Sequence, residues 1–127
     1  MAKWRGSILG DLTPYQENMY SEMNDFDWYQ QKAISTVIFD KSVALTYLSL
    51  GLAGEAGEVA SKLAKNVRDN TPIDTDAIAK ELGDVLWFVA VLADHIGYNL
   101  SQIAKMNADK LKSRQERNML SGSGDNR

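Results

Sequence analysis

The sequence predicts an all-α protein, an antiparallel bundle of about four main helices that associates into oligomers. Three observations carry this expectation. Apolar residues recur at helical spacing over two long stretches, 43–68 and 75–96. Helix-start signals (Thr13-Pro14, Asn24, Asp40, Asp74 and Asn99) punctuate the chain, and the connections between the periodic stretches are short. The one β-branched run, Thr36-Val-Ile-Phe39, has no second run to pair with.

Taken in order, residues 1–12 show no period. Thr13 caps a short helix with Pro14 at its first position and Gln16 closing a capping box, so residues 1–23 form an N-terminal arm. Asn24-Asp-Phe-Asp27 opens the next helix, which carries Trp28, Tyr29, Ala33, Ile34 and Val37 and ends in the loop around Phe39. Asp40 and Ser42 are alternative caps for the helix Val43 to Arg68, whose Leu48, Leu52, Val59, Leu63 and Val67 should face the core. Gly51, Gly54 and Gly57 interrupt that helix, each at a cost of about 0.5–1 kcal/mol relative to alanine. Either close packing against another helix or a bare backbone beside a ligand accounts for them.

Pro72 prevents continuation, and Asp74 or Thr75 caps a helix that stops at Gly97. Its expected core stripe is Ile78, Leu82, Val85, Val89, Leu92 and Ile96, with Leu86, Trp87 and Val91 extending the apolar surface. A helix apolar around so much of its girth is central or faces a second chain, which is why a dimer or tetramer is expected. Asn99-Leu-Ser-Gln102 opens the last helix as a capping box, and residues 119–127 form a flexible tail. The helical domain is thus placed at residues 24–118.

Composition narrows the function. The chain has 127 residues, enough for one domain with a modest core, and 17 acidic against 14 basic residues, a net charge of −3. That balance disfavours a nonspecific nucleic-acid binder. Without cysteine, and with His95 as the lone histidine, thiolate and multi-histidine metal sites are excluded. No run approaches the roughly 20 apolar residues of a membrane span, so a cytoplasmic protein is expected with neither membrane nor nucleic acid as partner.

The chemistry lies in two acidic pairs. Glu55 and Glu58 are three residues apart, as are Glu81 and Asp84, and residues at that spacing are neighbours on one helix face. If the two helices face each other, four carboxylates converge. Two like charges about 5.5 Å apart repel by about 3 kcal/mol at an effective dielectric near 20, so a neutralising partner is required. An all-oxygen set suits Mg²⁺ or Mn²⁺. A di-iron site would need Glu-x-x-His, and the residue three before His95 is Leu92. The remaining chemistry is divalent-cation work on phosphates, for which Lys62 and Lys65 offer charge from the same helix and Lys110 and Arg114 from the last one.

Gly54-Glu55-Ala-Gly-Glu58-Val, Glu81-Leu-Gly-Asp84-Val-Leu-Trp87 and Asn107-Ala-Asp-Lys110-Leu-Lys-Ser-Arg114 together resemble the MazG-like, all-α nucleoside triphosphate pyrophosphohydrolases over roughly residues 24–115. Founding members carry a further Glu just before the first pair. This chain has Gly54 there, which is closer to the small stand-alone members, including the dCTP pyrophosphatase-like branch. The resemblance implies Mg²⁺-dependent cleavage of a (deoxy)nucleoside triphosphate between its α and β phosphates, giving a monophosphate and pyrophosphate, with Mn²⁺ as a substitute ion. It matches Glu55, Glu58, Glu81 and Asp84 to the catalytic metal ligands, and Asn107, Lys110 and Arg114 to a phosphate-binding set. Lys62 and Lys65 join that set by helical position alone. Phe39 and Phe88 are candidates to lie against the base, and Gln30 and Gln31 to bond its edge. The ending Ser121-Gly-Ser-Gly-Asp-Asn-Arg127 also resembles tails of stand-alone members and would make Arg127 a lid over the triphosphate. The alternatives are a nucleotide-binding regulator that keeps the claw without catalysis, and a purely structural helical oligomer.

Overall fold

The computed structural model describes residues 23–124. The short helix expected from Thr13, and Arg127, lie outside them. Four α-helices make up the described fold: α1 Asp25–Ser35, α2 Ala44–Asp69, α3 Thr75–His95 and α4 Leu100–Glu116. The described residues form no strand, and Thr36–Phe39 is the connection between α1 and α2.

Helices α1 and α3 begin on a side-chain cap, whereas α2 follows Val43, whose side chain provides none. The Asn24 side chain accepts from Asp27 N at 3.0 Å, and Asp74 accepts from Ala77 N at 3.0 Å. Asp40 caps a single 3₁₀ turn, Lys41–Val43, by accepting from Ser42 N at 2.8 Å, so the long helix begins one residue later than the periodicity indicates. Asn70 in the left-handed conformation (φ 51°) ends α2, and Gly97 (φ 88°) ends α3.

The start of α4 is built partly from α1. Gln30 Oε1 accepts from Leu100 N at 3.0 Å, and Asp27 accepts from both the N–H and the hydroxyl of Ser101. Gln102 Oε1 accepts from Asn99 N at 2.8 Å. The orphan amides of the first turn of α4 are therefore bonded in part by a helix some seventy residues earlier.

Helices α2 and α3 are antiparallel and form the tightest pair; α1 packs across α3 and against α4. The core is centred on Ala33, Ala44, Leu48, Phe88, Ala90, Val91 and Leu100. This corrects the expected stripes. Val67 is 82% exposed, Leu82 53% and Ile96 55%, whereas Val91 is fully buried. The α3 face that meets this chain's own helices is rotated from the face that looks most apolar in sequence. Phe88 sets the α2–α3 distance: a Cβ on Gly51 would lie 2.1 Å from the Phe88 ring, so glycine is required where that ring crosses α2. At Gly51 the close-packing account of the helix glycines therefore holds. Among the described residues, Gly54 and Gly57 have nothing within 4 Å of an added Cβ.

Candidate active site

The antiparallel register that seats Phe88 over Gly51 continues one turn along as Glu55 beside Asp84; further on, Lys62, three turns past Gly51 on α2, reaches Glu81, two turns before Phe88 on α3. Glu55, Glu81 and Asp84 each offer one carboxylate oxygen within 4.8 Å of the other two. Glu55 and Glu81 are half-buried in the α2–α3 seam and Asp84 is exposed at its rim. Partial burial first, then the charges of Asp84, Glu81 and Glu58, push the Glu55 carboxyl above its usual range.

The donor set fits a small hard cation. Oxygens around an octahedral ion at about 2.1 Å lie roughly 3.0 Å apart when adjacent and 4.2 Å apart when opposite. Three ligands on an octahedron leave at least two of their pairs adjacent, so oxygens that lie within 4.8 Å of one another would close by up to about 1.8 Å to reach that spacing. Nitrogen and sulfur are absent from it, which disfavours zinc.

The other sequence-derived residues are placed as follows. Glu58 is exposed one turn from Glu55 and stands outside the close triad, so three carboxylates rather than four share that spacing. Lys62 Nζ lies 3.3 Å from Glu81 Oε1, an ion pair joining α2 to α3. Lys65 is exposed on α2, Asn107 and Lys110 are exposed on α4, and Gln31 is half-buried on α1.

Three placements differ from expectation. Phe88 is 8% exposed, its ring packed on Gly51 and set edge-on to Trp87 at 4.9 Å, so it is a packing residue rather than an open surface for a base. Gln30 is buried, with Nε2 donating to Ala90 O and Tyr98 O, and has no group left for a base edge. Arg114 is buried as well and donates from Nη2 to Gly124 O at 3.3 Å, which folds the tail back on α4 as far as Gly124.

Two aromatic residues were missed by sequence reasoning. Tyr29 on α1 packs against the core with its phenol pushed above the usual value, by burial first and by the Asp84 charge second, so α1 brings a hydroxyl into the field of the claw. Tyr47, two turns before Glu55 on α2, stacks on Phe39 with ring centroids 4.4 Å apart and is 46% exposed. It is a more accessible flat surface near the claw than Phe88. The signal for Tyr47 was its i, i+4, i+8 relation to Gly51 and Glu55, masked by its resemblance to an ordinary amphipathic position.

Residues 44–119, which include both acidic pairs, match the family model described as the MazG nucleotide pyrophosphohydrolase domain. The chain is also 42% identical over 111 residues to the Gene 37 protein of Mycobacterium phage L5, an alignment covering 80% of this chain and 97% of that protein. No solved structure matches it. A four-helix fold with its carboxylates gathered on the central helix pair, and a family match spanning more than half of the sequence, lead to one assignment: this chain belongs to the MazG nucleotide pyrophosphohydrolase family.

Proposed function

We propose that the protein is a divalent-cation-dependent nucleoside triphosphate pyrophosphohydrolase, cleaving a (deoxy)nucleoside triphosphate between its α and β phosphates. The observation that supports it most is the triad Glu55, Glu81 and Asp84, with ligand oxygens within 4.8 Å in the seam between α2 and α3. Mg²⁺ is the natural ion for such a set and Mn²⁺ its substitute. An ion held by these carboxylates would supply charge neutralisation for the triphosphate and acidify the attacking water.

The chain's own residues do the rest. Glu55, Glu81 and Asp84 would hold the ion, and the packed Phe88–Gly51 crossing fixes the distance between the two helices that carry them. Water adds to the α-phosphorus, the bond from that phosphorus to the α–β bridging oxygen breaks, and pyrophosphate leaves with the electron pair. Glu58, exposed one turn from Glu55, is either a fourth ligand or the group that orients this water. Lys62, Lys65, Asn107 and Lys110 supply positive charge and hydrogen bonds for phosphate oxygens. Tyr47 and Phe39 offer a flat surface for the base. Arg114 joins the phosphate set only if the tail releases it from Gly124.

The helical domain of residues 24–118 is proposed to work as a homo-oligomer, because α2 and α3 expose apolar residues that no other described residue covers. None of the described helices is long and apolar enough to cross a membrane.

The test is a panel of canonical and modified triphosphates assayed for pyrophosphate against orthophosphate release with Mg²⁺ and Mn²⁺. Pyrophosphate release that Asp84→Asn abolishes is the expected result. Nucleotide binding without release of either product points instead to a regulatory binder. In Glu58→Gln, loss of cation affinity marks a ligand; retained affinity with lost turnover marks the residue that orients water.

A further inference from the structure

Three carboxylates in one seam face a fixed electrostatic cost when no cation is present, and the structure meets it with a residue of its own. Lys62 follows Glu55 by seven residues, two helical turns, so it lies on the same inner face of α2. Its ammonium reaches across to Glu81 at 3.3 Å. The ion pairs Arg68–Asp69, Lys105–Asp109 and Lys112–Glu116, by contrast, stay within about one turn of a single helix.

Resting on the reading of Glu55, Glu81 and Asp84 as a cation site, we propose that Lys62 is a displaceable internal counter-ion: it occupies Glu81 while the site is empty, and yields that carboxylate when a divalent cation enters. The geometry supports displacement rather than permanent pairing. The Lys62 side chain is 38% exposed while that of Glu81 is 18% exposed, so the cationic partner keeps a hydrated side and an open way out. A partly exposed lysine pair is weakly held, and the four-carbon stem lets the ammonium swing away without backbone movement. A divalent ion has the stronger claim, because it engages all three oxygens at once, whereas the ammonium lies against one of them. Released, Lys62 remains at the edge of the claw, within reach of phosphate oxygens beside the ion. One residue thus serves two states: it relieves repulsion across the α2–α3 seam before the cation arrives, and it carries charge for the substrate afterwards.

The experiment is direct titration of the full chain, without nucleotide, with Mn²⁺ followed by electron paramagnetic resonance of the free ion. Lys62→Met is expected to bind Mn²⁺ roughly three- to tenfold more tightly than wild type, since it removes both the competitor and a nearby like charge. Lys80→Met removes the same charge one residue from Glu81 but off the seam, and should change affinity less than about twofold. A second reading comes from melting temperature: Lys62→Met should melt below wild type in EDTA, with the gap closing at saturating Mg²⁺. Unchanged or weaker Mn²⁺ binding by Lys62→Met, or an equal gain in Lys80→Met, overturns the proposal while leaving the cation site standing. A wild-type protein that takes up no Mn²⁺, or binds it undiminished in Asp84→Asn, sinks the site and the proposal together.

Discussion

Gln30 and Glu55 show how differently a polar side chain in this bundle is held. Gln30 Nε2 donates to Ala90 O at 3.1 Å and Tyr98 O at 3.0 Å, and its Oε1 accepts from Leu100 N at 3.0 Å, so one side chain ties α1 to the end of α3 and the start of α4. Gln30→Leu strands these backbone groups in a buried site and should lower unfolding free energy in urea by about 2–4 kcal/mol. A loss below half a kilocalorie would mean that water reaches them. Glu55 is instead surrounded by charges of its own sign, and its carboxyl lies above the usual value. The folded protein therefore holds this proton more tightly than the unfolded chain does. In cation-free protein its contribution to stability is fully present below the unfolded value of 4.5 and is lost as pH rises through the higher folded value, the reverse of a salt-bridged carboxylate. Glu55→Gln should match wild type in denaturant stability near pH 4 and exceed it at pH 7, both in EDTA. A difference independent of pH would show that the carboxyl is not strained by Asp84, Glu81 and Glu58. The acidic residues themselves were legible in the sequence, because i, i+3 spacing fixes which side chains share a helix face. The destination of Gln30 was not, because nothing local to Asp25–Ser35 announces the amide of Leu100.

At the scale of the element, α2 is the informative helix. Its inner face runs through Leu48, Gly51, Glu55 and Lys62, and its outer face through Leu50, Ala53, Gly57, Ala60, Ala64 and Val67, a three-four repeat of small and apolar residues exposed throughout. Periodicity read from sequence identified the helix and one apolar stripe, Leu48, Leu52, Val59, Leu63 and Val67, and it placed Val67 and Leu82 in the core because a period says which residues share a face without saying what that face meets. The glycines separate the two faces experimentally. Gly51→Ala drives a methyl into the Phe88 ring and should destabilise by about 1–3 kcal/mol, overriding a helix-propensity gain of about 1 kcal/mol. Gly54→Ala meets nothing within 4 Å among the described residues. On propensity alone it should stabilise by up to about 1 kcal/mol. If a second copy packs there, the same substitution weakens association instead. Thermal melts at two protein concentrations distinguish these outcomes: a concentration-independent rise means an open face, and a fall that deepens on dilution means an interface.

For the whole molecule, the decisive feature is the amount of apolar side chain left outside. Val67 is 82% exposed, Leu50 69% and Leu82 53%, and Leu86 one turn past Leu82 is also exposed. On α3, Ala79, Leu82 and Leu86 are exposed as well, so each of the two helices that carry the claw has exposed apolar residues at helical spacing. Scattered exposed leucines require no explanation, but apolar residues repeating along two paired helices are the pattern expected of a contact surface. A second copy is the proposed occupant: a shared two-fold axis would let small residues on α2 admit close approach while Leu82 and Leu86 filled the gaps. Wild type should therefore sediment as a dimer or tetramer of its 14.1 kDa chain at micromolar concentration. Leu82→Asp combined with Leu86→Asp should sediment as a monomer, because four uncompensated carboxylates would meet across a dimer axis. Its Mn²⁺ affinity should persist, because Glu55, Glu81 and Asp84 come from one chain, whereas turnover should fall if the second copy completes the nucleotide pocket. Wild type running as a monomer at tens of micromolar would leave the apolar face unexplained and remove the dimer. A double variant that stays oligomeric would move the interface elsewhere. One that loses Mn²⁺ as it dissociates would show that oligomer formation, rather than the packing of Phe88 on Gly51, sets the spacing of the claw.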